Sequence, residues 1–260
     1  MPAHEGKVCL VTGSAQGIGL GIARQLGGGG GTLVLADVQA DKVEDAAETL
    51  RQAGYPASAV AGDVGKAGDV AEMVAKTLER HGRIDVLVNT AGGSGHVALP
   101  TIEDIDPDTW DAVINANLRG TYLFARAVVP QMKARKSGSI VNFSSIASRG
   151  FSGSVGTIGA RLPYAAAKGG IESFTRQLAH DLFPFRVNVN AISPGMVMTE
   201  PGARMNDRFA LLSEEQQRQI SAAFNDDFAA PDDVGALVSY LTSRAGRHVT
   251  GQCVPIGMVG

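Results

Sequence analysis

The residues of this chain best suited to chemistry are Tyr164 and Lys168, in the run Tyr164-Ala-Ala-Ala-Lys168, with Ser145 upstream of them. On a helix, residues four apart share a face, so the Lys168 ammonium can lie one turn beneath the Tyr164 phenol. A free phenol has a pKa of roughly 10, and a fixed positive charge nearby favours the phenolate by about a unit or more, which suits it to exchange protons near neutrality. A hydroxyl such as that of Ser145 can hold a carbonyl oxygen against the tyrosine while a hydride arrives from elsewhere. The same spacing also fits an exposed lysine lying over a half-buried ring. The elements that position the pair therefore decide its meaning.

Those elements alternate. Lys7–Thr12 is an apolar run of the kind that forms a strand buried on both faces, and it leads into Gly13-Ser-Ala-Gln16-Gly17-Ile18-Gly19 and a helix to Leu26. Strand, glycine-rich turn and helix together let backbone N–H groups meet a pyrophosphate. A second strand, Thr32–Ala36, ends at Asp37, placed to accept hydrogen bonds from an adenosine ribose and to repel a 2′-phosphate; this favours NAD over NADP. Asp37 can alternatively serve only to cap the next helix. Between these elements the five glycines Gly27–Gly31 must end the first helix, and a loose connection is expected there.

The alternation continues through a helix over 39–53, a strand over 57–61 that runs into Asp63-Val64, and a helix from Val70 to His81 stopped by Gly82. Next comes a strand, Ile84–Val88, ending in Asn89-Thr90-Ala91-Gly92. A long helix around Trp110–Lys136 carries Asn117 among apolar residues, and the strand Ser139–Phe143 ends at Ser144-Ser145. After the helix of Tyr164, the strand Val187–Ile192 leads to the turn Ser193-Pro194-Gly195-Met196-Val197-Met198-Thr199. A polar segment to about residue 230 reads as a helical lid, and the chain closes with a helix opened by Pro231 and a short strand, Gln252–Ile256. This order predicts an α/β fold: a single doubly wound, Rossmann-like domain over 1–260, with a seven-stranded parallel sheet, helices on both faces and a site along the carboxyl edge of the strands.

Composition bounds the function. With 260 residues, 44% of them hydrophobic, the chain can bury a large core, and a net charge of -3 at a pI near 6.0 offers no electrostatic footprint for nucleic acid or anionic membrane. Cys9 and Cys253 sit in apolar strand-like segments and read as small buried hydrophobes. No apolar stretch is long enough to span a bilayer and the N-terminus has no hydrophobic signal region, which points to a cytoplasmic protein. The five histidines, His4, His81, His96, His180 and His248, are scattered without ligand spacing, so no metal site is expected.

In combination, Thr12-Gly-x-x-x-Gly-Ile-Gly19, Asp63-Val64, Asn89-x-Ala-Gly92, Asn117, Ser145, Tyr164-x-x-x-Lys168 and Pro194-Gly195, in this order, resemble the short-chain dehydrogenase/reductase family across nearly the whole chain. The resemblance implies that Tyr164 is the catalytic acid and base, that Lys168 lowers its pKa and binds the nicotinamide ribose, that Ser145 polarises the carbonyl and that Asn117 holds a proton-relay water. It assigns Asp63 and Val64 to the adenine of NAD, Asn89–Gly92 to the ribose side, and Pro194, Gly195, Val197 and Thr199 to the nicotinamide amide and phosphates. It further implies a small-molecule alcohol or ketone as substrate and a homotetramer. The chain departs from the family in a glycine-rich insertion at about 146–163, where Arg149 or Arg161 could meet an anionic substrate group or stay solvated, and in its C-terminal Ile256-Gly-Met-Val-Gly260. The leading expectation is an NAD(H)-dependent oxidoreductase interconverting a secondary alcohol and a ketone. A reductase of 3-oxoacyl thioesters, on carrier protein or CoA, is the alternative within that class, and a non-catalytic NAD-binding protein is the alternative outside it.

Overall fold

The computed structural model describes residues 2–94, 102–150, 161–223 and 227–257. Seven strands, Val8–Thr12 (β1), Thr32–Asp37 (β2), Ala57–Ala61 (β3), Val86–Asn89 (β4), Gly138–Phe143 (β5), Val187–Pro194 (β6) and Cys253–Ile256 (β7), form one parallel sheet in the order β3-β2-β1-β4-β5-β6-β7. The expected fold is borne out. Neighbouring β1 and β4 lead away in opposite directions, toward β2 and toward β5, which opens the crevice where such sheets bind ligands. Every residue of β1 and of β4 is buried, as continuous apolar runs require when helices cover both faces.

The helices divide between those faces. Gly17–Gly28 (α1), Ala40–Gln52 (α2) and Pro231–Thr242 (α9) pack on one side through Ile22, Leu26, Val43, Leu50, Val234 and Val238. Ala67–His81 (α3), Gly120–Arg135 (α5) and Arg161–Leu182 (α6) cover the other with Met73, Phe124, Val128, Met132 and Leu182. The α3 helix stops where expected: Gly82 takes the left-handed conformation, φ 72°, and donates its N–H to the Leu78 carbonyl at 2.7 Å. The polar segment after β6 contains two short helices, Arg204–Ala210 (α7) and Glu214–Ala223 (α8).

Three sequence expectations need correction. The long helix is not uniform: Pro107–Ile114 (α4) passes through a π-helical turn, Asn115–Arg119, before α5 begins, so its backbone carries one wide turn that a 3.6-residue period does not reveal. The five-glycine connection is packed rather than loose. Its helix runs on through Gly28, Gly29 and Gly31 donate to the carbonyls of Gln25 and Leu26, and a Cβ on Gly29 would lie 2.6 Å from Nδ1 of His4. Lacking side chains, these glycines let the N-terminal segment close directly over the end of α1. The third concerns Cys253, which is only half-buried, in contrast to the fully buried Cys9.

His4 is the plug of that junction. It is fully buried, its backbone N–H donates to Gly29 and its Nε2 is 2.8 Å from the Thr242 hydroxyl at the end of α9. Burial, and then the Lys7 charge, lower its pKa to about 4. A histidine held neutral in the fold but free to protonate when unfolded contributes stability that is complete above its ordinary pKa of about 6.5 and is lost as pH falls toward its folded value. Chain stability should therefore drop by roughly 3 kcal/mol between pH 7 and pH 4 through this residue. Urea unfolding at both pH values should show a shallower drop in His4→Gln than in the parent.

Candidate active site

The carboxyl ends of β1, β4, β5 and β6 converge on one crevice, and each contributes a turn whose shape follows from its small residues. After β1, Gly13 and Gly17 adopt φ 64° and 61°, the left-handed region open to glycine. A Cβ on Gly13 would fall 2.8 Å from the Ala91 backbone, and one on Gly19 would fall 2.2 Å from the Gly13 carbonyl, so the first turn of α1 folds back on the strand that feeds it. Gln16 is the extended residue before the helix, and Ile18 is half-buried in its first turn. The loop thus presents the N-terminus of a twelve-residue helix to the crevice.

The β4 turn is hung on its neighbours. The Thr12 hydroxyl accepts hydrogen bonds from the N–H groups of both Thr90 and Ala91 at 3.1 Å. On the far side, fully buried Asn117 accepts from the Gly93 N–H and donates to the Gly93 and Val113 carbonyls, and its carboxamide would lie 2.3 Å from a Cβ on Gly92. The π turn is what aims Asn117 at this loop. Asn89 donates to Asn142 on β5, which donates to Thr175 on α6, each at 2.9 Å, a polar file through the sheet edge. Asn89 Oδ1, Thr90 Oγ1 and Ser193 Oγ, all at the carboxyl ends of β4 and β6, are buried without a partner among the described residues. A ligand rich in hydroxyl and amide groups would satisfy such atoms.

Asp37, at the end of β2, is buried and accepts from Ala15 N–H through Oδ2 and from Gln39 N–H through Oδ1. The capping alternative is thus present in the structure, in the form of a local turn. One bond per oxygen still leaves lone pairs on both for ribose hydroxyls. The Gly62 N–H bonds to the Asp37 carbonyl, which sets the Asp63 turn beside it. Asp63 Oδ1 accepts from Gly65 within that turn, whereas Val64 packs against Gly120 at the start of α5.

Tyr164 and Lys168 lie in the first turns of α6 as expected. The Lys168 side chain is buried, its Nζ donates to the Phe143 carbonyl at 2.7 Å and lies 5.3 Å from the centre of the Tyr164 ring. The reading of Lys168 as an exposed lysine over a ring is excluded by that burial. Ser145 is extended, φ -166°, and its hydroxyl accepts the Ala147 N–H, opening a short 3-10 turn that ends at Arg149. From β6, Gly195 donates to the Ile256 carbonyl of β7, Val197 pairs with Ala229, and the Thr199 hydroxyl accepts the Asn206 N–H of α7. Met196 is half-buried there, and Arg149 is exposed. His96, residues 151–160 of the glycine-rich insertion and the side chain of Arg161 lie outside the described residues.

Two carboxylates in the site went unread in the sequence. Glu200 Oε1 accepts the Gly17 N–H at 2.7 Å, across 183 residues, so a residue just beyond β6 caps the N-terminus of α1. Nothing local announces that contact. Glu172 accepts from Ser144 and Ser148 on either side of Ser145, and its position one turn beyond Lys168 was the available signal.

Comparison with known proteins gives this crevice its class. A family model described as Enoyl-(Acyl carrier protein) reductase matches residues 13–257. A (2S)-((R)-hydroxy(phenyl)methyl)succinyl-CoA dehydrogenase subunit of Thauera aromatica is 34% identical, over 95% of this chain and 94% of its own length. A 3-oxoacyl-(acyl-carrier-protein) reductase of Thermotoga maritima is 31% identical over 97% and 96%. Among solved structures, a 3-oxoacyl-(acyl-carrier protein) reductase with bound NAD from Brucella melitensis is 32% identical and superposes with a TM-score of 0.84, covering 99% of this chain and 92% of that one. The chain belongs to the short-chain dehydrogenase/reductase family of oxidoreductases.

Proposed function

We propose that the chain is an NAD(H)-dependent enzyme that interconverts a secondary alcohol and a ketone, with Tyr164 as the acid and base. The observation that carries this reading is the buried Lys168 ammonium, held between the Phe143 carbonyl and the Tyr164 ring. A fixed cation there favours the phenolate and so lets the phenol release and regain its proton near neutrality. Ser145, projecting from the end of β5, would hold the carbonyl oxygen and stabilise charge developing on it. Asn117 contributes by fixing the Gly92-Gly93 turn and, on the family pattern, by supporting a relay water near Lys168.

The residues present fit a dinucleotide. Gly13, Gln16, Gly17, Ile18 and Gly19 would cradle its pyrophosphate, Asp37 would take the adenosine ribose, and Asp63 with Val64 would flank the adenine. Asn89, Ala91 and Gly92, with Lys168, would take the nicotinamide ribose, and Pro194, Gly195, Val197 and Thr199 the carboxamide and phosphates. The cofactor, when bound, supplies the hydride. The segment from about 196 to 230 acts as a lid over this site, and the insertion at about 146–163, with Arg149 and Arg161 as the candidate anion-binding groups, shapes the substrate pocket of a single domain. The non-catalytic alternative would leave the Tyr164, Lys168 and Ser145 set without purpose.

A 3-oxoacyl thioester substrate is the second reading, favoured by the names of two close relatives, one of them with NAD bound. The Phe183-Pro-Phe185 turn is apolar where an acidic carrier protein calls for a basic, polar surface, which is partly offset by Lys133, whose Nζ lies 4.1 Å from the centre of the Phe185 ring. We place the protein in the cytoplasm and read it as a homotetramer; the exposure of Trp110 and Tyr122 along α4 and α5 supports contact between copies there.

Fluorescence titration should give tighter binding for NADH than for NADPH, and Tyr164→Phe should lose activity on a ketone panel by about a hundredfold or more while binding NADH like the parent. Retained activity in that variant would reject the acid and base role. The Gly17 N–H cannot serve Glu200 and a phosphate at once, so Glu200→Gln, which removes the competing charge, should tighten NADH binding several-fold. Light scattering should return the tetramer mass.

A further inference from the structure

Glu172 is a heavily committed carboxylate outside the residues assigned above. It projects from α6 one turn beyond Lys168, and its side chain is 13% exposed. Its Oε1 accepts the hydroxyls of Ser144 at 2.9 Å and Ser148 at 2.6 Å, and its Oε2 takes Arg176 at 3.2 Å. The Cys253 thiol of β7 is hydrogen-bonded to the same carboxylate. Burial opposes its ionisation, yet these bonds from Ser148, Ser144, Cys253 and Arg176 hold the carboxyl below its ordinary pKa. An exposed helix glutamate has no need of four partners, and this one gathers them from three different elements.

The serines it holds bracket Ser145. Ser144 lies within reach of the Lys168 carbonyl as well, at 3.1 Å, and Lys168 Nζ grips the Phe143 carbonyl. The segment 143–148 is therefore stitched to α6 on both sides of Ser145, and the two distal stitches end on one carboxylate. Ser145 itself is extended; its carbonyl accepts the Ser148 N–H at 3.0 Å, and among the described residues its hydroxyl accepts only the Ala147 N–H, at 3.3 Å, a long bond that leaves the hydroxyl direction to be set by the flanks.

We propose that Glu172 is a positioning residue: by clamping Ser144 and Ser148 it fixes the Ser145 hydroxyl relative to Tyr164 on the same helix. The inference rests on the reading of Ser145 and Tyr164 as the carbonyl-binding and proton-transfer groups. Its consequence is that Glu172 governs turnover and not cofactor binding, because a displacement of about 1 Å in a reacting group costs up to roughly a hundredfold in rate while the dinucleotide cradle lies on other elements.

The experiment is steady-state oxidation of NADH with acetoacetyl-CoA and ethyl acetoacetate as carbonyl probes, alongside NADH fluorescence titration and thermal unfolding. Glu172→Ala should lower kcat by roughly tenfold or more while leaving the NADH Kd within about twofold, and Glu172→Gln, whose amide oxygen still accepts both hydroxyls, should recover most of the loss. Thiol titration gives a readout independent of turnover. Burial, and then the Glu172 charge, push the Cys253 thiol up to about 12, so in Glu172→Gln it should react faster with a disulfide reagent at a fixed pH, whereas Cys9, fully buried, should not change.

Glu172→Ala that folds and keeps kcat within about twofold of the parent would overturn the positioning role. If that variant does not fold, the Ser144→Ala/Ser148→Ala double variant, which removes both clamped hydroxyls and no charge, decides: parental kcat overturns the role and a roughly tenfold loss supports it. Loss of kcat in Glu172→Gln equal to that in Glu172→Ala would also overturn it, since the clamp survives in the amide. Failure of the underlying reading is distinguishable, because Ser145→Ala would then turn over both probes like the parent.

Discussion

The hydrogen bond from the Lys168 ammonium to the Phe143 carbonyl joins the sheet to the helix that carries Tyr164. Phe143 ends β5 in the buried sheet, and Lys168 belongs to the helix that carries Tyr164. A buried lysine is costly unless its charge is met, and the last carbonyl of a parallel strand is a strong, fixed acceptor for it. With the ammonium so anchored, its distance to the tyrosine ring becomes a property of the sheet and not of a flexible side chain. The serine loop, the β4 turn and the glycine cradle are then arranged around a charge whose place is already set.

Those turns owe their shapes to close approach. Gly13, Gly19 and Gly92 lie where an added Cβ would strike the backbone of a neighbouring turn or the side chain of Asn117. The parts of the crevice therefore interlock directly, with Thr12 and Asn117 as the polar pins from either side. The polar file Asn89, Asn142, Thr175 carries the same constraint through the sheet to α6. Rigid turns of this kind position reacting groups better than mobile loops do, at the cost of placing several polar side chains where water does not reach.

Much of this was legible in the sequence because each motif stands at a strand end, where the period of apolar residues stops and small or polar residues begin. The seven strands, their parallel arrangement and the Tyr164 and Lys168 pairing follow from such local patterns. What could not be read depends on contacts between distant segments. The five-glycine connection looks loose when only helix propensity is considered; its order comes from His4, more than twenty residues earlier, packing where side chains are absent. Glu200 meets Gly17 across 183 residues of sequence, and the charge facing the Cys253 thiol comes from Glu172 on α6. The π turn escaped because Asn115 and Asn117 fit an α-helical pattern as well as they fit a wider one.

That turn fixes the length of its helix to the residue. A π turn accommodates one more residue than an α turn, so the side chains before Asn115 are rotated by about 100° relative to an uninterrupted helix. Deleting a single residue within Asn115–Arg119 restores a regular hydrogen-bond ladder, and it also swings Asn117 away from the Gly92-Gly93 turn. Gains and losses of length, which surface loops absorb freely, are thus barred from this helix by the site at its centre. The interior helix behaves as a ruler for the turn it holds.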